Sequence, residues 1–200
     1  MFTSKPPPSR LLTLPAEIRT LIFEFALTSS SKPTVTFRLD PYQLDTYTPA
    51  VQPPLTRVSR QLREETLPIY YELTPFILHS EAPKADDALR WLRCNEAYLP
   101  LLRRLTFWIR YVPARGSAGV GAFGVGIGRA RKGGEWAVEE EWRWITVVRR
   151  PGDVEGDAKV LLGRMGVVLK EGGLGEGAGP EEFVGFMERV RGEYVRGKMG

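Results

Sequence analysis

Glycine and proline are distributed so unevenly that they set two different folding problems in one chain. All 21 glycines lie at or beyond Gly116, while 13 of the 16 prolines lie at or before Pro100. Proline locks φ and removes a backbone donor; glycine opens backbone conformations at an entropic cost when they are ordered. The first half must therefore consist of regular elements joined by stiff connectors, with no glycine available for a left-handed turn. The second half has to order a far more permissive backbone, so the first half is expected to be the better defined.

Within the first half, apolar spacing locates the elements. Pro6-Pro7-Pro8 marks residues 1–10 as an extended or disordered tail, since a proline run offers no surface to bury. Leu14, Ile18, Leu21, Ile22 and Phe25 then share one stripe of a helix, with Pro15 at a position that tolerates proline. Glu17 falls in its first turn, where the positive helix end favours it. After the polar run Thr28-Ser29-Ser30-Ser31, the alternation of Val35, Phe37 and Leu39 predicts a strand over 34–39. Pro41, Pro49, Pro53 and Pro54 mark a long connector. Leu55, Val58, Leu62, Thr66 and Ile69 start a second helix that Pro68 should end or kink, with Arg60 and Glu64 placed to pair across one turn. A short strand fits 74–80, and a helix fits 84–98 through Ala85, Ala88, Leu89 and Leu92. Alternation over 104–112 sets Leu105, Phe107, Ile109 and Tyr111 against Thr106, Trp108 and Arg110, as in a half-buried strand.

Residues 113–135 are rich in glycine and poor in large apolar side chains, which predicts a mobile loop. Trp136, Trp142, Trp144 and Val148 share one parity of a strand over 136–149, expected to pair antiparallel with 104–112. Two helices follow: 157–170 on Leu161, Met165, Val168 and Leu169, and 180–196 on Phe183, Met187, Val190 and Tyr194. Gly172-Gly173 stops the first and Pro180 opens the second. The pattern predicts an α+β fold, with helices packed on a small, mostly antiparallel sheet. Its parts are a tail (1–10), an α+β unit (11–112), a glycine-rich loop (113–135), and a strand plus two helices (136–200) that complete the same domain.

Composition excludes more than it identifies. Apolar residues make up 42% and charged residues 26%, ordinary values for a soluble globular chain. The net charge of +4 lies wholly in residues 101–200, mixed with Glu139-Glu140-Glu141, so it forms no concentrated basic face and weighs against nucleic acid. One cysteine, Cys94, excludes an intrachain disulfide, and no Cys/His cluster exists for zinc. That usage fits a reducing intracellular compartment, cytoplasmic or nuclear. The first residues lack the apolar core of a secretory signal, and no apolar run approaches the ~20 residues of a membrane span.

The chemical motifs lack their contexts. Gly119-Val120-Gly121-Ala122-Phe123-Gly124 matches G-x-G-x-x-G, but the stretch continues in glycine where a pyrophosphate site needs a helix N-terminus. Arg115-Gly116-Ser117-Ala118-Gly119 departs from the nucleophile elbow at its first position, and His79 is the only histidine. Adjacent acidic residues such as Glu64-Glu65 and Asp86-Asp87 point in different directions on a helix. Arg129-Ala130-Arg131-Lys132 could touch phosphate, yet the nearby tryptophans read as core. No catalytic, cofactor-binding or metal-ligating residue is assigned.

Leu12-Thr13-Leu14-Pro15-Ala16-Glu17-Ile18-Arg19, then Leu55 to Glu65, then Leu67-Pro68-Ile69-Tyr70 and Phe76-Ile77-Leu78, together resemble the F-box-like pattern of fungal proteins. The resemblance covers about Leu11 to Ser80 and extends loosely to Val112. It implies a non-catalytic protein-interaction module, because the F-box proper is a small helical unit that docks on the Skp adaptor of cullin-type ubiquitin ligases. Carried onto this chain, it makes Leu14, Pro15 and Ile18 on the first helix, with Val58 and Leu62 on the later one, the candidate partner-binding residues of a substrate-recruiting adaptor. An F-box joins these elements by a short connection, whereas residues 28–54 here insert a predicted strand and a proline-rich connector. The alternative is that the same side chains pack the two helices on each other and on the sheet, as amphipathic stripes usually do. On that reading the chain is a structural or regulatory protein using the unit only as a core. A nucleotide-binding enzyme using residues 119–124 is a further reading. An apolar patch left exposed would favour docking.

Overall fold

Alternation over Arg104–Arg110 buries Leu105, Phe107 and Ile109, and around this strand the computed structural model builds a six-stranded sheet. The structure describes residues 9–28, 32–34, 47–79, 84–113, 121–131, 134–146 and 152–199. In chain order its elements are α1 (Ala16–Leu27), β1 (Lys32–Thr34), β2 (Tyr47–Pro49), α2 (Arg60–Leu73), β3 (Phe76–His79) and α3 (Lys84–Cys94). They continue with β4 (Arg104–Arg110), β5 (Gly121–Gly128), β6 (Ala137–Thr146), α4 (Val154–Val168) and α5 (Pro180–Met199). The sheet order is β2-β1-β3-β4-β5-β6. The short strands β2, β1 and β3 and the edge of β4 pair parallel, whereas the longer β4, β5 and β6 pair antiparallel. The fold is α+β, and antiparallel pairing joins its long strands. A parallel neighbour needs a crossover, which α2 supplies between β1 and β3, and α3 between β3 and β4.

One face of the sheet holds the core. Phe76 packs against Trp91 of α3 with ring centroids 4.9 Å apart, Phe107 against Phe186 of α5 at 5.6 Å, and Phe123 against Tyr194 of α5 at 6.0 Å. Ala158, Leu161, Met165 and Val168 complete it from α4. Asp153 accepts the Gly156 N–H and starts α4 three residues earlier than the spacing predicts; Gly172, at φ 88°, ends the turn that extends it.

The glycine-rich segment 113–135 is not one loop, because residues 121–128 form β5 in the interior of the sheet. Phe123, Val125 and Ile127 face the core, while Gly124, Gly126 and Gly128 alternate with them on the opposite face. A Cβ at Gly124 would stand 2.9 Å from the Trp108 ring, so the strand is bare there because the indole lies across it. Gly121 and Gly124 of the G-x-G-x-x-G match therefore sit within a strand and precede no helix. The strand expected over 136–149 is β6, whose described residues 137–146 pair with β5 rather than with β4, since β5 lies between them; residues 147–149 lie outside the described residues. Val125 pairs with Trp142 and Ile127 with Val138, which leaves Glu139, Glu140 and Glu141 opposite Gly126 alone as a bulge.

Other expectations shift for local reasons. Pro68 neither ends α2 nor stops it short of Leu73: Thr66, Leu67, Tyr70 and Tyr71 are buried on both sides of it, and that burial offsets the missing backbone bond. The proline-marked connector contains β2, and the second helix begins at Arg60 after a 3-10 turn over Pro54–Arg57. Arg60 and Glu64 form no ion pair. The helix expected over 84–98 ends at Cys94, and a 3-10 turn over Glu96–Leu101 follows it. Of the tail 1–10 and the strand over 34–39, residues 1–8 and 35–39 lie outside the described residues.

Buried Arg129 ties the second half to the first. Its guanidinium donates to the carbonyls of Leu102 at 2.6 Å, Pro100 at 2.7 Å and Leu99 at 3.2 Å, and it lies 4.5 Å from the centre of the Trp136 ring. The residue thus caps a 3-10 turn, and burial lowers its pKa.

Candidate docking surface

α1 turns its apolar stripe away from the protein. Ile18, Leu21, Ile22 and Phe25 occupy positions i, i+3, i+4 and i+7 and therefore one face of the helix. Their exposures are 45%, 61%, 40% and 88%. Phe23 points the other way and is 1% exposed, the sole fully buried side chain of α1. The helix packs chiefly on α2. The stripe that could pack as core instead lies exposed.

The orientation is held by charge as well as by Phe23. The Arg19 guanidinium forms a two-pronged bond to Glu65 of α2, Nε to Oε2 at 2.9 Å and Nη2 to Oε1 at 2.8 Å. Its remaining nitrogen, Nη1, donates to the Leu14 carbonyl at 2.6 Å, which fixes the turn entering α1. Gln61 donates a further bond to Glu65 at 2.9 Å. The Arg19 fork first, and then the Gln61 amide, hold the Glu65 carboxyl below its ordinary pKa. At its C-terminal end, α1 closes with the Thr28 N–H and hydroxyl both donating to the Glu24 carbonyl.

The structure divides the five candidate partner-binding residues. Ile18 lies within the exposed stripe, Pro15 is exposed at the helix N-terminus, and Leu14 is half-buried beside it. Val58 is 68% exposed just before α2. Leu62 is 5% exposed and belongs to the packed side of α2, so it offers no surface to a partner. Ser59 caps α2 by accepting the Leu62 N–H at 3.2 Å, which turns that side chain inward. Leu21, Ile22 and Phe25 complete the surface although the family pattern does not single them out. Their helical spacing from Ile18 is the signal that finds them.

Among the described residues no group of acidic, histidine or cysteine side chains is arranged to hold a metal ion. No helix among them is long and apolar enough to cross a membrane. Comparison with known protein families, curated proteins and solved structures finds no match.

Proposed function

We propose that this protein is a non-catalytic interaction module that docks a partner on the apolar face of α1. The observation that carries the reading is the exposure of Ile18, Leu21, Ile22 and Phe25 together on one helix whose other face is pinned by Phe23 and Arg19. Leaving four large apolar side chains in water forgoes burial of roughly 1.5–3 kcal/mol each, and a partner groove recovers it. The F-box-like pattern of Leu12–Arg19 and Leu55–Glu65 supports a Skp-type adaptor as that partner. The protein would then recruit a substrate to a cullin-type ubiquitin ligase, inside the cell in the cytoplasm or nucleus. The solitary Cys94, free and exposed, is in keeping with a reducing compartment.

A second reading draws on Leu62: its burial favours α2 as an internal core element, with the unit serving a structural or regulatory protein. Titration of the full chain with a purified Skp-type adaptor separates the two. Saturable binding that Phe25→Asp abolishes, with the fold intact by circular dichroism, supports docking. No binding by the wild-type chain refutes the adaptor reading and favours the second.

A further inference from the structure

We infer that a cavity beside the first turns of α2 binds a phosphate monoester. The cavity has a volume of about 660 Å³ and is lined by Arg57, Arg60, Arg63 and Glu64, with Thr56 and Tyr98 among its walls. Three arginines thus line one concave space, in a half of the chain whose basic and acidic residues balance overall. Among the described residues none of the three takes a carboxylate partner, although Glu64 shares the cavity and stands one helical turn from Arg60. Three positive groups against one negative leave a local charge of two. A phosphate monoester supplies an opposite charge of about 1.5 to 2 near neutral pH and three acceptor oxygens suited to guanidinium forks.

The walls are built rather than merely solvated. Tyr98 stacks on buried Tyr71 with centroids 4.6 Å apart and planes 8° from parallel, and the Tyr71 hydroxyl donates to Asn95. Thr56 is buried and its hydroxyl donates to the Pro53 carbonyl at 2.7 Å. Arg63 is steadied by a bond from Nη2 to the Gln52 side-chain carbonyl at 3.2 Å, a neutral acceptor that leaves its charge available. The α2 N-terminus adds a favourable field, but the guanidinium groups define the site. This reading is independent of docking at α1: failure of adaptor binding leaves it standing, and its own failure leaves the docking reading untouched.

The test is calorimetric titration of the full chain with O-phospho-L-serine and with inorganic phosphate at fixed ionic strength. Saturable binding is expected at pH 7.5, weakening toward pH 5 as the phosphate loses its second charge. Arg60→Gln with Arg63→Gln should weaken it roughly tenfold or more, the scale of a lost charge-assisted bond. Glu64→Gln should tighten it, a gain that misfolding cannot imitate. Tighter binding of phosphoserine supports a ligand carried on a larger molecule, and equal binding supports the free ion at the same site. Lack of saturation with either probe, or affinity unchanged in the double variant or in Glu64→Gln, overturns the proposal.

Discussion

Two phenylalanines separated by one residue on α1 should respond oppositely to the same substitution. Phe23 is fully buried against the body of the protein, and replacing a core phenylalanine with alanine typically costs about 3–5 kcal/mol through lost transfer energy and a residual cavity. Because α1 rests mainly on α2, the low end, about 3 kcal/mol, applies to Phe23→Ala. For a chain of 200 residues that loss lowers Tm by roughly 6–12 °C. Phe25 is almost entirely in water, so Phe25→Ala should stay within about 0.5 kcal/mol of wild type, or roughly 2 °C. Thermal melts followed by circular dichroism, checked by urea midpoints, give both values. If Phe25→Ala destabilises the chain as much as Phe23→Ala, then the stripe is covered in the folded protein and the docking reading fails.

Three further outcomes follow from the sheet and from two charged side chains. Gly124→Ala should cost about 1–3 kcal/mol because its Cβ meets the rigid, buried Trp108 ring, whereas Gly126→Ala should cost less, since its closest contacts are with the carboxylate end of the Glu139 side chain, which can swing away. Equal urea midpoints for the two variants would contradict that packing. Glu65→Gln should lower the urea midpoint at pH 7, and the gap should close as pH falls below about 4. The sign follows from the depressed Glu65 pKa: its stabilisation is full above the unfolded value and is lost on acidification through the folded one, so a gap constant down to pH 3 would refute it. Arg129→Met should destabilise by roughly 3 kcal/mol by leaving the Leu99, Pro100 and Leu102 carbonyls without their donor; an unchanged Tm would exclude that capping role.

Sequence periodicity locates α1, α2, β3, β4, β6 and the two C-terminal helices, and it specifies the α+β class. It misjudges β5 because glycine density reads as a loop, although the order Phe123-Gly124-Val125-Gly126-Ile127-Gly128 is itself a period-two strand pattern. The cost of glycine in a strand is overcome only by neighbours that no local window contains, namely Trp108 across one side and Glu139 across the other. Distant pairings such as Arg19 with Glu65, or Arg129 with the carbonyls near Leu101, are likewise invisible along the chain. The docking surface shows the division most plainly. The sequence alone determined that α1 carries an apolar arc of Ile18, Leu21, Ile22 and Phe25, since helical spacing depends only on local geometry. Only the tertiary structure decided that this arc faces water, because Phe23 had to be buried and Arg19 had to find Glu65 on α2 before the helix had an inside and an outside.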